Sequence, residues 1–293
     1  MGYFPSLERF AIEEAVDRAL AEDLGSGDPT TDSLIPPGRT GRALIVAKGE
    51  GILAGGDVAV AVWKRLDPSI HVGSILPDGS KVRPSDPESG QEGDIIAEIV
   101  GDTAAILKGE RTAINFLQHL SGVATETNRF VRAVEGLPAH IVDTRKTVPG
   151  LRALQKYAVR VGGGSNHRIN LGDGVLIKDN HIEALRAEGA GLGEAVRRAR
   201  VRHTLRVEVE VETLEQVAEA LEAGADILLL DNMTVEQMAE AVALVDGRAL
   251  TEASGNIDID NARAVAATGV DIISIGRITH SARALDISLD LVE

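Results

Sequence analysis

The 293-residue chain contains no cysteine, and aromatic side chains make up only 2% of it. Without thiols there is no disulfide, iron–sulfur cluster, thiolate zinc site or cysteine nucleophile. With so few aromatic faces there is no row of stacking platforms of the kind single-stranded nucleic-acid binders use. Long apolar runs are missing too, since a stretch such as Ile227 to Leu230 is far too short to span a bilayer. The amino-terminal MGYFPSLERFAIEEAVDRAL carries acidic residues through a helical pattern and lacks a cationic segment ahead of an apolar core, so no secretory signal is read there. Positive charge is scarce, at 30 Lys and Arg against 45 Asp and Glu, a formal net charge of −15. An acidic chain of this kind is a poor partner for nucleic acid. These absences together predict a soluble cytoplasmic protein that binds neither membrane nor nucleic acid.

What is present is a globular composition, 44% hydrophobic and 26% charged. The length suits one large domain or two ordinary ones. The few cations are also unevenly spread. Asp143 to Asn180 holds seven Lys or Arg against three Asp, so this segment stands at +4 while the remainder stands at −19. A cation cluster kept against such a background points to binding of small anions.

Ser6 followed by Leu7, Phe10, Ala11, Ala15 and Ala19 predicts a helix that ends before the Gly25 to Pro29 turn. From Thr40 to Asp94 the texture becomes short strand-like pieces, ALIVAKG, GILAG and DIIAEIV, divided by turns that include the polar stretch 84–93. A helix near Val58 to Leu66 interrupts them. Two helical patterns, TAAILKGERTAINFLQHL and GVATETNRFVRAVEG, then lead onward. Beyond Pro138 the runs AHIVD, GVLI, LRVEVE, DILLLD, RALTEA and DIISIG alternate with amphipathic helices, which argues for parallel β/α units. Glu210, Asp231, Glu252 and Ser274 lie 21, 21 and 22 residues apart at the ends of their runs, where a β/α barrel carries its active site. Six visible strands are fewer than a full barrel needs. The expectation is an α/β chain with an incomplete barrel, a doubly wound open sheet being the alternative.

Several groups could carry chemistry. Arg145 offers a planar fork for a carboxylate or phosphate, and Lys146 a mobile point charge; an isolated pair of this kind could equally be ordinary surface. Arg152, Lys156 and Arg160 recur every fourth residue on one helix face. Gly162-Gly163-Gly164 precedes His167 and Arg168, and three glycines suit close approach of the main chain to a ligand or a plain flexible turn. Lys178 ends its run, with surface pairing to Asp173 or Asp179 as its bland alternative. Glu210 and Asp231 end successive strands and suit one Mg2+ together with substrate oxygens or one developing positive charge. Glu208, Glu210 and Glu212 share parity, so which points inward stays open. Zinc is disfavoured by the missing thiolates and by the lack of two histidines at helical ligand spacing. Ser254-Gly255-Asn256 and the segment from Gly276 to Ser281, with His280, are small-residue loops of the kind that seat a phosphate or simply cap a helix.

The segments ERTAINFLQHLSGVAT, DTRKTVPGLR, KYAVRVGGGSNHR, LIKDNH, VEVE, LLLDN, EASGNI and ISIGRITHS follow one another along nearly the whole chain, and together they resemble the quinolinate phosphoribosyltransferase family, the carboxylating nicotinate-nucleotide pyrophosphorylases. Val148 and Val161 depart from the motifs, at positions that carry no proposed role. The resemblance implies an N-terminal α/β sandwich domain over about residues 1–115, a C-terminal barrel of fewer than eight strands over about 116–281, and a tail at 282–293 that packs with the first. It also implies a homodimer with shared sites, open to further assembly. By residue, it implies that Arg145, His167 and Arg168, with Lys146 and Lys178 nearby, cradle two carboxylates, and that Arg111 reaches a neighbouring subunit. It implies further that Glu210 and Asp231 serve the ribose and Mg2+, that Ser254, Gly255, Gly276 and His280 seat a 5-phosphate, and that Arg152 and Lys156 extend the anion wall. The implied reaction joins quinolinate to phosphoribosyl pyrophosphate with loss of pyrophosphate and CO2, a step in NAD biosynthesis. The competing readings are a nicotinate-type phosphoribosyltransferase and a non-catalytic oxyanion-binding paralogue.

Overall fold

The computed structural model describes residues 7–88 and 92–292; Ser6 and part of the 84–93 stretch lie outside the described residues. In chain order the first elements are α1 (Arg9–Leu24), α2 (Pro29–Leu34), β1 (Thr40–Ala47), β2 (Gly51–Ile52), α3 (Gly56–Leu66), β3 (His71–Val72), β4 (Lys81–Val82), β5 (Ile95–Asp102) and α4 (Thr103–Ala133). Next come β6 (His140–Val142), α5 (Arg152–Val161), β7 (Val175–Ile177), α6 (Asp179–Arg186), α7 (Leu192–Arg202), β8 (Val207–Val211) and α8 (Leu214–Ala223). The chain closes with β9 (Ile227–Asp231), α9 (Val235–Val245), β10 (Leu250–Ser254), α10 (Ala262–Ala267), β11 (Ile272–Ser274), α11 (Arg277–His280) and β12 (Ile287–Val292). Two compact units result, one of Met1–Asn128, Thr147–Gly163 and Ile278–Glu293, the other of Arg129–Lys146 and Gly164–Arg277. No helix among the described residues is long and apolar enough to cross a membrane.

The first unit is built on an antiparallel sheet in the order β12-β1-β5-β3. Alternation in TGRALIVA sends Ala43, Ile45 and Ala47 into the core, as a period of two requires. Trp63 of α3 is wholly buried, and its Nε1 donates to Ile106 O at 3.1 Å, satisfying the indole. Where the sequence reads as a plain turn, Asp28 caps a short helix: its Oδ1 accepts from Thr31 N at 3.0 Å and Pro29 occupies the first turn. The two helical patterns after Asp102 are one 31-residue helix. Gly122, the apparent break, lies inside α4 because a Cβ there would collide with Arg283 O; the glycine serves close packing.

The second unit holds a six-stranded parallel sheet in the order β6-β11-β10-β9-β8-β7. Each strand from β7 to β10 pairs with its successor, and β6, the first strand of the sheet, pairs with β11, the last. That cyclic order belongs to a β/α barrel left open between β6 and β7, and it sets aside the doubly wound alternative, whose order would reverse at a switch point. Val207, Val209 and Val211 of β8, with Leu228 and Leu230 of β9, are buried on one face, while the intervening Glu208, Glu210, Leu229 and Asp231 take the other. Thr213 and Thr234 start α8 and α9 with capping boxes that use Gln216 and Gln237, so the helices begin just past the strand ends.

Candidate active site

The carboxyl ends of the second unit's strands enclose a basin of 620 Å3, within the usual range for small-ligand pockets. Arg145, Lys146, Arg168 and Lys178 supply its cations, Glu210 and Asp231 its mouth carboxylates, and Ser254, Gly255 and Asn256 a third side. Lys178 does not pair with Asp173 or Asp179, as its bland reading had it. Its Nζ donates to Glu210 Oε2 at 2.7 Å, while Asp173 accepts from Ile169 N and Asp179 from Asn180 N. Asp231 is pushed above the ordinary carboxylate range, first by burial and then by the neighbouring Glu210 charge, with Lys178 and Lys146 pulling the other way.

The equal sequence spacing of the strand-end residues does not mean equal height. Ladder partners place Glu210, Leu229, Glu252 and Ile272 on one level and Asp231 with Ser254 on the next level up. Glu252 therefore shares the level of Glu210, one layer below Asp231, and is 1% exposed, while Ser254 stands beside Asp231. The count of 21 residues spans strand, helix and loop together, and unequal loops shift the register even when the total repeats.

The floor of the basin is a buried ionisable cluster. His167 Nε2 is 3.2 Å from Glu208 Oε2 and 3.3 Å from Glu252 Oε2, and Glu208 Oε1 and both oxygens of Glu252 have no hydrogen-bond partner. Burial pushes His167 down, but hydrogen bonds and charge from the two glutamates outweigh it and carry the imidazole up to about 10. Burial raises Glu208, with His167 pulling it back. One contact opposes the charged imidazole: Arg168 N–H points at Nδ1 at 2.8 Å, which favours the neutral form protonated on Nε2. That main-chain hydrogen bond contributes about 0.5–1.5 kcal/mol and so offsets only part of the rise caused by the two carboxylates. In either form Nε2 carries a proton toward the carboxylates.

Asp143, fully buried at the end of β6, accepts from Asn166 Nδ2 at 2.7 Å and His167 N at 2.9 Å, and thereby fixes the loop that presents His167 and Arg168. Arg168 donates to Gly174 O at 3.1 Å, and its pKa is lowered by burial and by the like charge of Arg145. Asp143, Glu208 and Glu252 receive no role from sequence reasoning. The signal available for Glu208 was carboxylates at every second position of an otherwise apolar strand, and for Glu252 a lone carboxylate inside a short run.

Two donor sets could hold a cation. Side-chain ligand atoms of His167, Glu208 and Glu252 lie within 4.8 Å of one another, but the Nε2 proton already occupies the space between them. Glu210 and Asp231 are hard oxygen donors facing one basin, and a divalent cation relieves the like-charge repulsion that adds to burial in raising Asp231, so this pair fits Mg2+.

The remaining predicted residues are distributed as follows. Gly276 lies between β11 and α11 in the second unit and is not part of the basin lining. Asn256 lines the basin but does not open a helix, since α10 starts at Ala262. In the first unit Arg152 Nε donates to Thr147 Oγ1 at 3.0 Å, Lys156 is 2% exposed within α5, and His280 Nδ1 lies 2.6 Å from Ser281 Oγ. Arg111 lines a separate 410 Å3 pocket of that unit with Arg18, Glu22, Asp23 and His119.

Residues 28–121 match the family described as quinolinate phosphoribosyl transferase, N-terminal domain, and residues 123–290 its C-terminal domain. The nicotinate-nucleotide pyrophosphorylase [carboxylating] of Mycobacterium leprae (strain TN) is 45% identical over 96% of this chain and 97% of its own length. A probable nicotinate-nucleotide pyrophosphorylase [carboxylating] of Bacillus subtilis (strain 168) is 41% identical over 97% of this chain and 95% of its own. Among solved structures, the nicotinate-nucleotide pyrophosphorylase from Francisella tularensis superposes with a TM-score of 0.90 at 38% identity, covering 100% of both chains.

Proposed function

The chain belongs to the quinolinate phosphoribosyltransferase family, and from that premise we propose that the strand-end basin of the second unit carries the family's reaction, phosphoribosyl transfer from phosphoribosyl pyrophosphate to quinolinate with loss of CO2. The products are nicotinate mononucleotide, pyrophosphate and CO2, a pentosyl transfer in NAD biosynthesis. The observation that carries this reading is the meeting of four cations with two mouth carboxylates in one 620 Å3 basin. Both substrates are polyanions, and an acidic chain gathers its cations only where such charge must be held.

Arg145 and Arg168 present planar forks suited to quinolinate's two carboxylates. The layer of His167, Glu208 and Glu252 beneath them, together with the Asp143 clamp on the loop, sets their position before substrate arrives. As pyrophosphate departs, C1 of the ribose becomes positively charged, and Glu210 or Asp231 offsets that charge. Lys146 and Lys178 steady the leaving pyrophosphate. Once CO2 leaves, the electron pair left on the ring carbon is offset by either lysine and takes up a proton, which gives the C–H bond of the product. Substrate must displace Lys178 from Glu210, which frees a cation and an anion in the same movement. Mg2+ held by Glu210 and Asp231 would supply neutralisation of the pyrophosphate oxygens. The 5-phosphate lies against the Ser254–Asn256 loop, with Gly276 and His280 assigned to the same group and Arg152 and Lys156 to the anion wall by family resemblance. By the same resemblance the active form is a homodimer in which Arg111 serves the partner's basin.

A nicotinate-type enzyme would have a single carboxylate to hold, and an oxyanion binder would have no use for Glu210 and Asp231. One assay separates the three: release of CO2 and pyrophosphate from quinolinate and phosphoribosyl pyrophosphate, with and without Mg2+, beside nicotinate as acceptor. Release of both products from quinolinate is expected. Pyrophosphate released with nicotinate alone would favour the second reading, and no turnover of either acceptor the third.

A further inference from the structure

Two non-glycine residues at the basin rim have left-handed backbone, Asn232 with φ 53° and Asn256 with φ 52°. Asparagine tolerates this region better than most residues, yet outside glycine it is uncommon and gathers where geometry is tightly specified. The two are joined. Asn256 Nδ2 donates to Asn232 Oδ1 at 3.0 Å, and Asn232 Nδ2 donates to Asp231 Oδ2 at 2.7 Å. Asn232 N–H donates to Ser254 O at 3.0 Å, which carries the ladder one step beyond the paired strand residues Asp231 and Ser254. Asn261 Nδ2 then holds Asn256 O at 2.9 Å. Gly255 completes the arrangement: its φ is +84°, and a Cβ there would collide with Asn232 Oδ1 and stand 3.1 Å from Asn232 N.

We infer that Asn232 is a positioning residue that ties the Asp231 carboxylate to the Ser254–Asn256 loop, so that the two places meeting the phosphoribosyl donor are set as one piece. The inference rests on the function proposed above, in which Asp231 serves the ribose and metal end of the donor and the loop its 5-phosphate. Strand pairing alone fixes the backbone at Asp231 and Ser254. It does not fix the Asp231 side chain, whose orientation depends on the Asn232 amide, nor the loop beyond Ser254, which hangs on the same amide through Asn256. Because these bonds run through one side chain, displacing either end disturbs the other. Quinolinate meets the Arg145 and Arg168 side of the basin and makes no contact that depends on this amide.

The test compares the full-length protein with Asn232→Gly, Asn256→Gly and the double variant, glycine being chosen because it keeps the positive φ while removing the amide. Steady-state rates are measured against each substrate, and ribose 5-phosphate binding is measured by calorimetry. Each single variant is expected to raise the KM for phosphoribosyl pyrophosphate about tenfold while the quinolinate KM stays within about twofold, and to weaken ribose 5-phosphate similarly. The double variant should be no worse than the worse single one, since both remove one shared tie. Equal changes in both KM values, no change in either, or multiplying effects in the double variant would overturn the inference. Should the glycine variants fail to fold, Asn232→Asp keeps the acceptor for Asn256 but sets a carboxylate against Asp231, and the same selective loss is expected. A wild-type protein inactive with quinolinate would reject the proposed function, and the ribose 5-phosphate comparison would still decide whether the tie matters.

Discussion

Asp78 in the first unit and the Glu208–Glu252 pair in the second are enclosed carboxylates seated in opposite ways. Asp78 accepts from Gly55 N at 2.8 Å, Gly56 N at 3.0 Å and Tyr157 Oη at 2.8 Å, so both its oxygens are engaged at the start of α3. Burial still raises its pKa against those three donors. The glutamates both face the single Nε2 of His167, and Glu208 keeps one oxygen and Glu252 both without a hydrogen bond. A buried acid fully supplied with donors is an anchor for its fold. Buried acids left short of donors, under a cluster of cations, hold charge in reserve for a site, because stability alone would favour an apolar filling.

The sharpest way to break this contrast is His167→Ala. Removing the imidazole leaves two buried carboxylates without their donor and should cost about 3–5 kcal/mol, read by urea unfolding. A loss under about 1 kcal/mol would mean that the glutamates need no partner. Next in size is Asp78→Ala, which strands two helix amides and a tyrosine hydroxyl for about 1–3 kcal/mol while kcat/KM stays at the wild-type value. Glu252→Gln should behave in the reverse manner, with stability nearly unchanged and kcat/KM reduced. If both variants lose activity equally, the distinction between anchor and reserve fails.

Arg168→Lys comes third, with the quinolinate KM rising about tenfold and the phosphoribosyl pyrophosphate KM moving far less, because an ammonium cannot reproduce the fork. The pH dependence is subtler. His167 is raised to about 10 when folded, so its contribution is fully present below the unfolded value near 6.5 and is lost as pH rises through about 10. Unfolding free energy should fall across that window, and His167→Ala should flatten the slope. The smallest effect belongs to Arg186→Ala, whose partner Glu183 lies three residues away on the α6 surface with both side chains about two-thirds exposed; the melting temperature should not move.

How much was legible in the sequence follows the same division. Strand β8 showed through its period of two, β1, β5 and β9 through short apolar runs bounded by turns, and the basic segment through charge alone. Glu210 and Asp231 could be recognised as strand-end carboxylates because their runs stop there. The height of Glu252 could not, since the loop lengths that set it are hidden inside a constant spacing. Nor could the continuity of α4, because Gly122 reads as a break until the chain that packs against it is in place. The Lys178–Glu210 and Asn256–Asn232 contacts join residues 32 and 24 positions apart and leave no local mark.

The sequence by itself determined that side chains alternate between the two faces of each strand, where cations gather, and which family the motifs resemble, because alternation and composition are properties of the chain taken locally. Tertiary structure alone decided that the first barrel strand pairs with the last, that Ser254 rather than Glu252 stands level with Asp231, and that His167 is shared between two buried glutamates. Those outcomes depend on register between neighbouring strands, and register is set by loop lengths and packing across the whole sheet. A period along one strand carries no information about the height of the next.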